Sequence, residues 1–151
     1  MKRLLIVYHT QSGRTQRLAE AALAGAREID DVSSVLRRAF DTTLDDLLGA
    51  DALLLGTPEN FGTMSGALKD LFDRTYEPAA GRMEGRPYAV FVSAGNDGRG
   101  AQAQIERIAT GYGWKAVAPA HIARGEVQAG DLDACRELGA TLAAGLSIGA
   151  F

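Results

Sequence analysis

Residues 4–21 read LLIVYHTQSGRTQRLAEA, and the change of pattern inside them decides the fold. An aliphatic run stops at Tyr8. His9, Thr10, Gln11, Ser12, Gly13 and Arg14 follow, and from Thr15 the apolar residues recur at helical spacing. A buried run, a polar glycine-containing loop and a helix make the first half of a βα unit. The helix N-terminus behind such a loop presents free N–H groups and the positive end of a dipole, so it is a ready site for an anion. Thr10, Ser12 and Thr15 could be plain helix caps, but three hydroxyls around Gly13 favour a phosphate.

The rest of the chain repeats this alternation. Strands are expected over residues 3–8, 32–40, 51–57, 87–94 and 114–123, and helices over 15–28, 44–48, 65–76, 100–112 and 132–146. Runs such as ALLLG and YAVFVSA are apolar on both faces, as in a parallel sheet covered by helices on each side. Five βα units joined by right-handed crossovers predict an α/β, three-layer, doubly wound five-stranded parallel sheet of order 2-1-3-4-5, with residues 1–151 as one domain. Ligands of such a sheet sit beyond the carboxyl ends of the strands, near the switch point between strands 1 and 3. The loops over residues 9–14, 58–64 and 95–99 therefore carry the expected site.

Composition narrows the classes. Lys plus Arg number 16 against 19 Asp plus Glu, which lacks the clustered basic excess of a nucleic-acid-binding surface. Cys135 is the one cysteine, so an intrachain disulfide or a multi-cysteine metal site is excluded. The apolar run behind MKR ends at His9, too short for the core of a secretion signal, and no stretch approaches a membrane span. A cytoplasmic protein is expected.

The first loop also excludes by what it lacks. A nucleoside-triphosphate loop needs the lysine of GxxxxGK[ST], and a dinucleotide loop needs GxGxxG. A cysteine-dependent phosphatase needs a thiolate here, and Cys135 falls in the last helix. A phospho-acceptor receiver domain needs acidic residues after strand 1 and an Asp after strand 3, where His9 and Thr57 stand. A monophosphate ester held by neutral donors and a helix end, with no metal, is what remains.

The motifs TQSGRT at residues 10–15 and GTPENFGTMSGALKDLFDRT at 56–75 now carry a resemblance. The first is similar to the T-x-[ST]-G-x-T flavin-phosphate loop of the flavodoxin family. The second resembles the G-T-P-x-x-F-G-x-M-S-G-x-[LM]-K segment of flavodoxin-like NAD(P)H:quinone reductases, the Trp-repressor-binding-protein type. VSAGNDGRG at 92–100 is similar to their small-residue loop after strand 4. The likeness covers nearly the whole chain. It implies FMN, with Thr10, Gln11, Ser12, Gly13, Arg14 and Thr15 in the phosphate loop. Pro58, Glu59, Asn60, Phe61 and Gly62 match the segment along the isoalloxazine. Ser93, Ala94, Gly95, Asn96, Asp97 and Gly98 match the loop at its pyrimidine edge. Two departures are visible. Ser12 stands where those reductases carry an aromatic residue, and only EPAAGRMEG fills the place of their insertion after the third helix.

The resemblance implies an FMN-dependent oxidoreductase that passes hydride from NAD(P)H, the co-substrate, to a quinone-like or other small acceptor. No side-chain nucleophile is needed, because the flavin carries the chemistry. The alternative is a flavodoxin-type electron carrier whose partner is a redox protein. A homo-oligomer is compatible with either. Single residues keep two readings: Arg14 as phosphate partner or solvated charge, Glu59 facing the ring or solvent, and Asp97 and Arg99 as loop solvation. Phe61, in a glycine-bounded loop, is expected to face the flavin. Tyr112, Trp114 and His121 are expected to be structural, and Cys135 a core thiol.

Overall fold

The computed structural model describes residues 1–151. In chain order the elements are β1 (Lys2–Tyr8), α1 (Arg14–Ala26), β2 (Val32–Arg38), a 3-10 turn (Ala39–Asp41), α2 (Leu44–Leu48), β3 (Ala52–Asn60), β4 (Thr63–Met64), α3 (Gly66–Ala79), β5 (Pro87–Ala94), α4 (Arg99–Tyr112), β6 (Lys115–Ala116), β7 (His121–Arg124) and α5 (Ala129–Ile148). The sheet runs β2-β1-β3-β5-β6, with β7 also on β5 and the short β4 on β3. Every pair is parallel except β3 with β4. The expected order is therefore present, with β6 and β7 as one interrupted outer strand.

α3 runs on to Ala79 and α5 begins at Ala129, each three residues beyond expectation, and three strand boundaries differ for local reasons. The outer strand breaks because Pro119 has no N–H to offer a ladder. Val117 N still donates to Tyr88 O at 3.1 Å before the break, and β7 rejoins β5 at Phe91–His121. β2 ends at Arg38 because the Thr42 hydroxyl donates to Arg38 O at 2.8 Å and turns the chain, which leaves Phe40 exposed. β3 runs on to Asn60 because its last residues fold back on β4 as a hairpin.

The alternation of side chains along each strand builds two cores. On one face Leu5, Val7, Leu53, Leu55, Val90 and Val92 meet Leu68, Leu71 and Phe72 of α3 and Ile105, Ala109 and Tyr112 of α4. On the other, Leu4, Ile6, Leu54 and Phe91 meet Leu18 and Ala22 of α1 and Cys135, Leu138 and Leu142 of α5. Tyr112 and Trp114 stack at 4.4 Å between ring centroids, and the Tyr112 hydroxyl donates to Phe72 O at 3.1 Å, so both pack as expected. Burial pushes the Cys135 thiol up to about 12, which keeps it protonated and inert. His121 Nε2 lies 2.8 Å from Asp131 Oδ1, whose other oxygen accepts from Gln128 N at 2.9 Å, so this imidazole braces the start of α5. No helix is long and apolar enough to cross a membrane.

Candidate functional site

Registers Tyr8–Gly56 and Pro58–Ser93 bring the ends of β1, β3 and β5 side by side, so the three sequence-predicted loops share one edge of the sheet.

The first loop ends on Gly13, the N-cap of α1, at φ +93°, a left-handed conformation that a side chain would strain. Thr10 Oγ1 accepts the Gly13 N–H at 3.0 Å and closes the turn. No side chain caps α1, and its first backbone bond is Arg17 N to Gly13 O at 3.1 Å. The N–H groups of Arg14, Thr15 and Gln16 precede that bond, as an anion-binding helix end requires. The plain-cap reading of Ser12 and Thr15 therefore falls. Thr15 is buried under the loop, Gln11 and Ser12 are exposed, and Arg14 is half-buried. The Arg14 guanidinium pairs with Glu126, beyond β7. Ser12, Gly13, Arg14, Gln16 and Glu126 border a polar cleft of about 480 Å³ with Arg17 and Glu20.

Beside the loop, His9 sits edge-on to Phe40 with centroids 6.0 Å apart. Burial, and then the Arg38 charge, hold the His9 pKa below its usual 6.5. The imidazole is therefore neutral at pH 7 and adds no positive charge beside the loop.

The second loop is the β3–β4 hairpin. Asn60 pairs with Thr63, leaving Phe61 and Gly62 as a two-residue connection with φ of +54° and +75°. Two positive φ values are the pattern of a type I′ turn, which Asn-Gly fills without strain. Phenylalanine in the first of these places is a backbone outlier. Its ring is also fully exposed. An aromatic held in solvent on strained backbone is what a binding surface looks like, and strain of this kind clusters at ligand sites. Below the tip, Thr57 Oγ1 accepts from Ser65 N at 2.9 Å, and Met64 N donates to Gln104 Oε1 of α4 at 2.8 Å.

The third loop leaves β5 through buried Ser93 and Ala94, exposes Gly95, Asn96 and Asp97, and enters α4 at Gly98. Asp97 pairs with Arg99, whose hydrogen bond holds the carboxyl below its ordinary pKa. Arg124 Nε donates to Asp97 O at 2.9 Å, so the loop is clasped from β7. Glu59 takes neither of its two expected orientations. Its Oε1 accepts from Gly98 N at 2.9 Å and its Oε2 from Ala101 N at 3.0 Å, so it caps α4 from the neighbouring strand.

Gln104, Glu126 and Phe40 join this edge without having been singled out in the sequence. A glutamine beside Ile105, on the apolar side of the α4 pattern, is the sequence signal for Gln104. Glu126 and Phe40 had none, since each reaches the edge through a turn.

This edge, on a parallel sheet of order β2-β1-β3-β5-β6, defines a flavodoxin-like α/β protein. A flavodoxin structure from the domain Archaea overlays it with a TM-score of 0.83 at 24% identity, covering 96% of this chain and 99% of that one. A family profile described as NADPH-dependent FMN reductase matches residues 32–128, and the chain belongs to that family. It is 30% identical to an NAD(P)H dehydrogenase (quinone) of Syntrophus aciditrophicus (strain SB), over 95% of this chain and 84% of the relative. It is 32% identical to a protein named flavodoxin of Aquifex aeolicus (strain VF5), over 73% of this chain and 60% of that protein. The chain thus spans less than two thirds of the length of the Aquifex relative.

Proposed function

We propose that residues 1–151, acting as one flavodoxin-like domain, bind FMN and use it to carry hydride from NAD(P)H to a small acceptor such as a quinone. The observation that carries this reading is the open N-terminus of α1 behind a hydroxyl-lined loop, on the same sheet edge as the exposed Phe61. The donor set fits a phosphate ester: backbone N–H groups of Arg14, Thr15 and Gln16, and the hydroxyls of Thr10 and Ser12. Arg14 can exchange Glu126 for the phosphate. Pro58, Glu59, Asn60, Phe61 and Gly62 form the hairpin that flanks the ring, and Ser93, Ala94, Gly95, Asn96, Asp97 and Gly98 form the loop at its pyrimidine edge. When bound, FMN supplies the two-electron redox chemistry, and the chain supplies position and electrostatics. The relatives' names, NAD(P)H dehydrogenase (quinone), support the choice of reductant and acceptor.

A carrier reading has its own support. One relative is named flavodoxin, and Ser12 stands where an aromatic residue would receive nicotinamide. In that reading a redox protein takes the place of both small substrates. Mixing the FMN-loaded protein with NADH, with NADPH, and with a flavodoxin reductase separates the two. Bleaching by a nicotinamide alone supports the enzyme; bleaching only through the reductase supports the carrier.

A further inference from the structure

We propose that Glu59 is a positioning residue that fixes the ring-flanking hairpin to the N-terminus of α4, setting the width of the flavin slot independently of the phosphate loop. The proposal rests on the FMN reading for what the slot holds.

α4 begins at Gly98 with no side-chain cap from its own N-cap residue and no acidic residue in its first turn. The nearest local carboxylate, Asp97, is drawn to the Arg99 side chain at 2.6 Å and meets Arg99 N only at 3.4 Å. The cap comes instead from Glu59, about forty residues earlier, with both oxygens engaged. A carboxylate on N–H groups at a helix N-terminus makes charge-assisted bonds favoured by the dipole. A local Ser or Asp would cap as well. What Glu59 adds is a rigid link between two of the three site loops. Two further contacts run the same way. Gln104, one turn into α4, accepts the Met64 N–H from the other arm of the hairpin. The Gly62 carbonyl lies against Gly100, where a Cβ would collide with it. The hairpin is therefore clamped to α4 from both arms and at its tip, and Phe61 rides on a fixed base.

The cap also separates the two glycine-led helix ends on this edge. Glu59 fills the one at α4, while the one at α1 stays open. The anionic end of a ligand is thereby directed to α1, and the loops beside α4 are left to the neutral ring.

This division predicts how variants sort flavins. Riboflavin lacks the phosphate but has the ring. Glu59→Ala should weaken riboflavin and FMN by the same factor, on the order of tenfold, with their affinity ratio unchanged. Glu59→Gln keeps one acceptor and should recover part of the loss. In the flavin-free protein, hydrogen exchange of the Gly98 and Ala101 amides should lose protection in Glu59→Ala while amides of β1 and β3 keep theirs. A purely structural role would lower stability without moving riboflavin affinity below the unfolding temperature. Gly139→Ala, far from the site between α1 and α5, is the control that should do that. Unchanged riboflavin binding in Glu59→Ala, or a loss confined to FMN, would overturn the proposal, as would unchanged exchange at both amides. If Glu59→Ala fails to fold, Gln104→Ala should show the same equal loss on a smaller scale, and wild-type riboflavin affinity there would count against the brace. A wild-type protein that binds neither flavin defeats the FMN reading alone, since the exchange measurement still decides whether Glu59 clamps the hairpin.

Discussion

Thr10 Oγ1 accepts the Gly13 N–H at 3.0 Å, so the hydroxyl that closes the first loop still has its own proton to give. Thr10 thus holds the turn and can donate to an anion at once. Thr10→Ala should weaken FMN by about tenfold and leave riboflavin affinity unchanged, while Thr10→Ser restores FMN binding. Fluorescence quenching titrations with both flavins check this. Equal losses for the two would mean that the loop acts on the ring and not on a phosphate.

Phe61 is expected to trade stability for binding. Its positive φ costs roughly 1–2 kcal/mol relative to a residue at ease in that region. Phe61→Asn should raise the unfolding free energy of the flavin-free protein by about 1 kcal/mol and weaken both flavins. Urea unfolding and flavin titration of the same variant measure the two effects. A variant that is stabilised and binds FMN as tightly as wild type would remove Phe61 from the site.

Much of this edge is legible in the sequence. The alternation of apolar runs and helices fixes the sheet because runs such as ALLLG can be buried only between two helical layers. The open helix end behind TQSGRT is legible because any strand–glycine–helix arrangement exposes backbone N–H groups there. Three features were not legible. Val117 and Ala118 continue the apolar run, which hides the break that Pro119 causes. The hairpin turns on Phe-Gly instead of Asn-Gly, so its strongest local signal is absent. The partners of Glu59 are two backbone amides about forty residues away, and no spacing rule in the sequence reaches them.

α1 and α5 pack so closely that a Cβ at Gly139 would collide with the backbone carbonyl of Ala22, and one at Gly25 with that of Arg136. Gly139→Ala should therefore force the helices apart and cost about 1–3 kcal/mol. A lower urea midpoint with an unchanged slope is the expected reading. Wild-type stability would mean that the two helices separate freely.

His9 contributes a defined slope to stability against pH. Its folded pKa is lowered, first by burial and then by Arg38. As pH falls below 6.5 the unfolded chain takes up the proton first, so protonation favours unfolding. The contribution is complete above 6.5, declines as pH falls toward the folded value, and is flat below it. His9→Gln should remove this part of the slope, seen as a difference between the two unfolding curves across that window. Parallel curves would place His9 in solvent.

FMN binding at this edge and access of a nicotinamide to the bound flavin can be read in one experiment. The direct measurement is anaerobic visible absorbance of the FMN-loaded protein mixed with NADPH or NADH, followed by addition of a quinone. The oxidised flavin band should be lost with at least one nicotinamide and return fully with quinone. A flavin that stays oxidised with both nicotinamides, or a protein that takes up no FMN, would rule out nicotinamide-driven FMN chemistry at this edge.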